Sequence, residues 1–466
     1  MKIKFLGAAR EVTGSKHLIT TDSGKKLLLD CGMFQGKGLE TDGMNRDLGF
    51  DPSTIDHLIL THAHIDHAGL IPFIYKLGFR GSIICTNATR DLCAIMLTDS
   101  AFIQEHDTMT FNKRRIIKGL PLAEPLYTQA DATACMSLFI GVPFEMNFRI
   151  DKDIKVKFTS TGHMLGSGVA NIQITENDQI KRIAYTGDIG RPVDQILTPP
   201  VSFPQADILI TESTYGDRLH QDNQVATEEL LNVVTDTCVN KGGKLIIPAF
   251  SVGRTQEIVF AFNNFFNEGR LPKVDMFVDS PLAVNATTVF RMHPECFNDE
   301  FKRVLETDPD PFGFDNLYYV TKVEDSKKLN DHKKPCVIIS ASGMMEAGRV
   351  KHHLANNISD PKNTILIVGY CAPTTLGARI GRGDKEVSIF GTVYEVKADV
   401  KKIESFSGHG DYKEMISFLS CQDKSALEKT FIVHGEYETQ KKYVGSLLNE
   451  GYKNIEIPAR GQEYDL

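Results

Sequence analysis

Two kinds of hydrophobic pattern follow one another along the chain. Up to Glu212, short runs alternate apolar and polar positions, as in KIKFLG, IKVKFTS and VANIQI. A period of two with one apolar side predicts half-buried strands. HLIT, KLLLD, HLILT, SIICT, RIAYTGD and DILITE complete this set. Helices are predicted from Asn87 to Asp107, from Gln129 to Ile140 and from Gly69 onward, and the charged FNKRRIIKG reads as a solvated surface. After Glu212 the pattern changes. KLIIPAF, VDMFVDS, PCVIISAS and NTILIVGY are almost wholly apolar, and each precedes a helix-like stretch. That repetition predicts a parallel sheet with crossover helices. From Tyr394 strands and histidines return. The simplest organisation is a strand-rich domain, residues 1–211 and 394–466, interrupted by an inserted α/β unit, residues 212–393. Within the insert, DNLYYVTKVEDSKKLN is polar enough for a connection.

Length and composition agree with this division. A chain of 466 residues exceeds one ordinary core, and 41% hydrophobic with 24% charged residues excludes a disordered chain. MKIKFLGAAR is too short in apolar length for a signal peptide or membrane span. The nine cysteines include no CxxC pair, which predicts buried free thiols in a reducing cytoplasm and no membrane association. A net charge of −8 argues against a protein that coats nucleic acid. It leaves room for a nucleic-acid enzyme, because the field at a metal-bearing cleft is local. There is no P-loop, no GxGxxG after a strand and no internal repeat.

The chemistry concentrates in LILTHAHIDHAGL, where His62, His64, Asp66 and His67 fall within six residues. Imidazole and carboxylate are the ordinary ligands of zinc and of borderline metals. The residues leave a buried strand and enter a helix, so His62 and His64 face one side and Asp66 and His67 another. That suits two adjacent metals. A structural zinc site would favour cysteine, and none is here. His163 in FTSTGHMLGSG, Asp188 in IAYTGDIGR and His434 in TFIVHGE also follow strands and extend the donor set. Asp188 is able to bridge two cations, and Asp30, closing KLLLD, is placed to orient a ligand histidine.

D30CG, THAHIDH, TGH163, TGD188 and H434 resemble, in order, the five motifs of the metallo-β-lactamase fold. Glu212 in TESTYGD, His409 in SFSGHGD, PAFSVGRTQE, SASGMM and TLGAR extend the resemblance to the β-CASP branch, which processes nucleic acids. It covers nearly the whole chain. It implies an αββα sandwich with an inserted parallel-sheet domain. It also implies two zinc ions, with manganese as the alternative: His62, His64 and His163 would hold the first, Asp66, His67 and His434 the second, with Asp188 between them. Glu212 and His409 would form the acid–base pair. In this family a histidine at the position of His434 goes with RNA enzymes, such as the endonuclease subunit of the cleavage and polyadenylation factor and its single-chain prokaryotic relatives. The resemblance therefore implies hydrolysis of single-stranded RNA by attack of a hydroxide on phosphorus. Endonucleolytic and 5′-exonucleolytic action both stay open, as does a homodimer. The rivals are an ester or thioester hydrolase of the same superfamily and an inactive scaffold of a processing complex.

Substrate is expected at three loops of the insert, Phe250–Arg254, Ser340–Gly343 and Gly369–Arg379, in a channel between the two domains. Ligands bind beyond the carboxyl ends of parallel strands, and Ser- and Gly-rich turns let backbone N–H groups reach phosphate. Ser251, Arg254, Ser340, Ser342, Gly343 and Arg379 are the named candidates, with Arg349 and Arg382 as further cations. Phe250, Tyr370 and Tyr215 are stacking candidates for which core packing is the favoured role. Histidines 17, 57, 106, 293, 332, 352 and 353 read as structural or solvated.

Overall fold

The computed structural model describes the chain apart from residues 37, 39, 221–222, 370, 372–373 and 404–407, and gives the backbone alone for 223–226. The chain divides into two compact units. The first comprises Met1–Asp194, Thr198–Leu219 and His409–Leu466; the second comprises Gln195–Leu197 and His220–Gly408. The first unit is built on two stacked sheets with helices outside them, and the second on one parallel sheet.

In the first unit two seven-stranded sheets stack. One runs Glu463–Asp465, Lys2–Gly7, Lys16–Thr20, Lys26–Leu29, His57–Ile59, Ser82–Thr86, Phe139–Val142. The other runs Ile455–Glu456, Lys429–Ile432, Ile208–Thr211, Gln179–Tyr185, Gly168–Glu176, Ile154–Ser160, Phe148–Arg149. Alternation along each strand sends one set of side chains into the layer between them. Ile3, Phe5, Leu27 and Ile59 there meet Val156, Phe158, Ile172, Ile183 and Phe431. On its other face the second sheet buries Leu209 and Ile432 against Met415, Phe418, Leu419, Tyr443 and Leu447, from helices Tyr412–Leu419 and Tyr437–Asn449.

The second unit holds six parallel strands in the order Leu317–Tyr319, Asp275–Asp279, Cys336–Ser340, Lys244–Pro248, Thr364–Ile367, Asp399–Lys402. Cys336–Ser340 is buried along its whole length, as a central strand with both faces covered must be.

Several local expectations are corrected here. Leu317–Tyr319 is an edge strand and Val323–Asp331 a helix, where a connection was expected. Asp399–Lys402 pairs with Thr364–Ile367. By contact the second unit comprises Gln195–Leu197 and His220–Gly408; 212–393 was expected for the insert. A four-residue edge strand with exposed ends has no apolar run to announce its sheet. The helix starting at Asn87 continues to Ile117, through the basic FNKRRII. The stretch from Gln129 gives a helix only to Cys135, and Phe139–Val142 is a strand paired with Ser82–Thr86. All nine cysteines are free, and seven are buried. No helix among the described residues is long and apolar enough to cross a membrane.

Candidate metal centre

Parallel strands of the two stacked sheets end at one group of loops. His62 and His64 follow strand His57–Ile59, and Asp66 and His67 lie in the one-turn helix Ile65–Ala68. His163 follows Ile154–Ser160, Asp188 follows Gln179–Tyr185, Glu212 follows Ile208–Thr211 and His434 follows Lys429–Ile432. Tight backbone pairing fixes the histidine-rich turn. Ser15 N–H donates to Asp66 O at 2.8 Å, and Cys31 N–H to His67 O at 2.7 Å. Gly32 is required beside it, since a Cβ there would lie 1.5 Å from Asp66 O. Asp30 and His434 both take left-handed backbone, with φ of 56° and 52°. This region is sparsely populated by residues other than glycine, and its use at a site reflects a conformation imposed by the surroundings.

Two clusters of donor atoms result. In the first, His62 Nε2 and His163 Nε2 each lie 3.2 Å from His64 Nδ1 and 3.4 Å from Asp188 Oδ2. In the second, His67 Nε2 lies 3.1 Å from His434 Nε2 and 3.2 Å from Asp188 Oδ1, with Asp66 Oδ2 3.5 Å from His434 Nε2. Asp188 turns one oxygen to each cluster. Its Oδ1 is buried and accepts no hydrogen bond.

This donor set fits a pair of divalent cations. Imidazole nitrogens turned toward one another repel unless a proton or a cation lies between them. Zn–N bonds of about 2.0–2.1 Å in tetrahedral geometry separate ligand atoms by roughly 3.3 Å, close to the spacing here. The electrostatics point the same way. Burial holds His62 and His163 below the usual histidine range and brings His64 down to about 3, so all three stay neutral, the form that ligates. Burial opposes the charge of Asp66 and Asp188, but neighbouring imidazoles, His434 foremost, hold both carboxyls below their ordinary range.

Further side chains fix the ligands. Asp30 Oδ2 lies 2.7 Å from His67 Nδ1 and accepts from the Tyr185 hydroxyl at 2.7 Å. Asp30 Oδ1 accepts from Thr61 N–H at 2.8 Å. The Tyr185 hydroxyl lies 2.7 Å from Ser15 Oγ, and Thr214 Oγ1 lies 3.0 Å from His434 Nδ1. Thr61, Thr214, Ser15 and Tyr185 are absent from the sequence reading. Only the adjacency of Tyr185 to TGD188 and of Thr214 to Glu212 hinted at them.

Glu212 is fully buried. It accepts the backbone N–H groups of Ile189 and Thr214, and His409 Nδ1 lies 3.2 Å from its Oε1 and 3.9 Å from Asp188 Oδ2. Burial disfavours the His409 cation, but the Glu212 carboxylate, helped by Asp188 and Asp66, pushes its pKa up to about 9. Tyr215 is buried with its ring edge-on to His409, at 5.8 Å between centroids.

The expected substrate residues lie in the second unit and are already engaged there. Arg254 pairs with Glu257, Arg379 with Asp384 at 3.1 Å, and Arg349 with Asp279 at 2.6 Å. Ser251 Oγ lies 3.0 Å from Ser280 Oγ, and Ser340 donates to Asp279 O at 2.9 Å. Ser342 Oγ accepts from Ala347 N–H at 3.3 Å, and Gly343 sits against the Phe250 ring. Phe250 is exposed, against the core role expected of it. Tyr370 lies outside the described residues. Of the histidines read as structural, His17 is fully buried and His106 exposed.

Comparison with known proteins adds three family matches. Residues 13–238 match the metallo-beta-lactamase superfamily, 255–380 the Beta-Casp domain, and 393–458 the Zn-dependent metallo-hydrolase RNA specificity domain. A ribonuclease of Thermus thermophilus is 33% identical over 100% of this chain and 98% of its own length. An RNase J-like protein of Methanocaldococcus jannaschii is 32% identical over 98% of this chain and 96% of its own. Cleavage and polyadenylation specificity factor 73 of Drosophila melanogaster is 30% identical over 97% of this chain, which spans 62% of that protein.

Proposed function

This chain belongs to the β-CASP branch of the metallo-β-lactamase superfamily, and from that premise we propose that it is a metal-dependent ribonuclease hydrolysing single-stranded RNA. The observation that carries the reading is the Glu212–His409 pair beside the two donor clusters, with His409 3.9 Å from Asp188. Hydrolysis of a small ester or thioester has no need of that pair. The names of the relatives and the match to an RNA specificity domain supply the substrate class.

His62, His64, His163 and Asp188 would hold one divalent ion, and Asp66, His67, His434 and Asp188 a second. Zinc suits this set, with manganese as the alternative. When bound, such a pair acidifies water to near-neutral pKa and takes up charge on the phosphodiester. The chain's own residues do the rest. Asp30 holds the His67 ring through Nδ1, and Thr214 holds His434. Glu212 keeps His409 protonated near neutral pH. With Nδ1 held by Glu212, Nε2 carries the proton for the leaving 3′-oxygen, and the product bears a 5′-phosphate. Ser251, Arg254, Ser340, Ser342, Gly343 and Arg379 are proposed to line the path of the RNA backbone. There phosphate contacts position the strand without reading its sequence.

The test is a cleavage time course on internally labelled single-stranded RNA bearing either a 5′-monophosphate or a 5′-hydroxyl. The matching DNA and an Asp66→Ala protein run beside it. Internal fragments indifferent to the 5′ group assign an endonuclease. Mononucleotides released only from the 5′-monophosphate assign a 5′ exonuclease. RNA left intact with zinc and with manganese, or cut equally by Asp66→Ala, overturns the proposal.

A further inference from the structure

Glu212 fixes the ring of His409, and the residues that follow His409 fix its backbone. Gly410 N–H donates to Ile189 O at 2.8 Å, one residue beyond Asp188. Ile189 N–H in turn donates to Glu212 Oε1, the oxygen that faces His409 Nδ1. His409, Gly410, Ile189 and Glu212 thus close a ring of contacts around the imidazole. The loop leaving Asp188 is itself tightly placed. Gly190 N–H donates to Thr161 O at 2.8 Å, and a Cβ on Gly190 would lie 2.2 Å from Gly162 O.

A second tie joins the same two segments further along. Asp411 caps the helix Tyr412–Leu419, its carboxylate accepting from Lys413 N–H at 2.9 Å and from Glu414 N–H at 3.0 Å. Glu414 Oε2 accepts from Asp411 N–H at 2.8 Å. This reciprocal cap occupies one oxygen of Glu414, and a glutamine would serve it as well. The other oxygen, Oε1, faces Arg191, 3.3 Å from Nη2 and 3.4 Å from Nε. Arg191 is only 7% exposed. Taking a guanidinium out of water is costly, and a carboxylate partner offsets that cost only where the geometry is held. Here it is held, because Met415 and Leu419 of the same helix are fully buried against the second sheet. The ion pair therefore joins the loop that carries Asp188 to the anchored end of the segment that carries His409.

We propose that Arg191 is a positioning residue for the reaction. Through Glu414 it sets where His409 stands relative to Asp188, and so whether the proton on Nε2 reaches the leaving oxygen. The inference rests on the proton-donor role proposed above for His409. Misplacing a reacting group by about 1 Å costs up to about 10²-fold in rate.

The experiment is a double-mutant cycle on the full chain, read by single-turnover cleavage of single-stranded RNA. Arg191→Met is expected to lower the maximal rate about 10-fold or more. The RNA concentration giving half the maximal rate, and the bound metal, should not change. Glu414→Gln keeps the cap and removes the charge, and is expected to lower the rate to a similar extent. Arg191→Lys keeps the charge and is expected to recover part of the rate. In a His409→Ala background, Arg191→Met is expected to change the remaining rate by less than about twofold, because the group it positions is gone. A general loss of packing would slow both backgrounds alike. Equal losses in the two backgrounds overturn the inference, as does metal lost from Arg191→Met or a rate that neither Arg191→Met nor Glu414→Gln lowers. Where Arg191→Met does not fold, Glu414→Gln carries the same cycle. An inert wild type, or a His409→Ala protein as fast as wild type, overturns the proton-donor reading and this inference with it. A slow His409→Ala protein with equal losses overturns the inference alone.

Discussion

Asp188 and Asp279 occupy similar places in their two units. One follows and the other ends a strand whose last residues are buried, both carboxylates are buried, and both gather histidine. Their surroundings differ in kind. Asp279 Oδ2 lies 2.6 Å from His353 Nε2 and accepts from the Ser326 hydroxyl at 2.6 Å, and its Oδ1 accepts from Arg349 at 2.6 Å. Arg349 goes on to donate to the carbonyls of Val320 and Thr321. Each Asp279 oxygen meets a side-chain donor or the His353 ring, and a fixed guanidinium balances the carboxylate. Burial opposes the Asp279 charge, but His353, Ser326 and Arg349 keep its carboxyl below the usual range. Around Asp188, among the described residues, no guanidinium or hydroxyl meets either oxygen. Imidazole nitrogens face one another at 3.1–3.2 Å, and Oδ1 accepts nothing. Converging donors make a brace for the fold; converging lone pairs make a site for a cation.

Substitutions should separate the two aspartates. The largest effect is expected at Asp188→Ala, which should lower single-turnover RNA cleavage by at least about 10³-fold and reduce bound metal, read by elemental analysis of the purified protein. Retention of both rate and metal would erase the distinction. His409→Ala should lower the rate by about 10²–10⁴-fold with metal content unchanged, as expected of a proton donor.

The pH dependence follows from the same pair. In the proposed role His409 acts while protonated, so the rate should fall as pH rises through its pKa. Glu212 raises that pKa, so Glu212→Gln should move the alkaline limb of the pH–rate profile to lower pH. A limb that stays put would remove His409 from the proton's path.

Asp279→Ala should lower unfolding free energy by about 3–5 kcal/mol, because it strands a half-buried guanidinium and a buried imidazole. Metal content should not change. Calorimetry of the full chain reads the first and elemental analysis the second. The smallest effect is expected at Tyr185→Phe, which removes one donor to Asp30 and so loosens the orientation of His67. Its affinity for the second metal should fall about 10-fold, measured by competition with a chelator.

Much of the candidate metal centre was visible in the chain because its donors cluster locally. His62, His64, Asp66 and His67 share one turn, and His163, Asp188 and His434 repeat a setting of strand, small residue and donor. Tyr185, Thr214 and Ser15 escaped because a hydroxyl carries no such setting; each looks like ordinary strand or loop until the sheets stack. The phosphate-binding reading of the arginines met the opposite difficulty. Arg379 closes one of the expected loops and Arg349 follows another, and the fold gives each a carboxylate partner.

By itself the sequence determined the alternating strands of the sandwich, the apolar strands of the insert and the donor types of the centre. Those follow from side-chain periodicity and from chemistry confined to a few residues. Tertiary structure alone decided the last strand of the parallel sheet, since Asp399–Lys402 becomes a strand only by pairing with Thr364–Ile367. It alone decided that Asp188 turns an oxygen to each cluster while Asp279 is fully braced. Both are outcomes of which distant groups folding brings within 3 or 4 Å, and a linear pattern holds no measure of that distance.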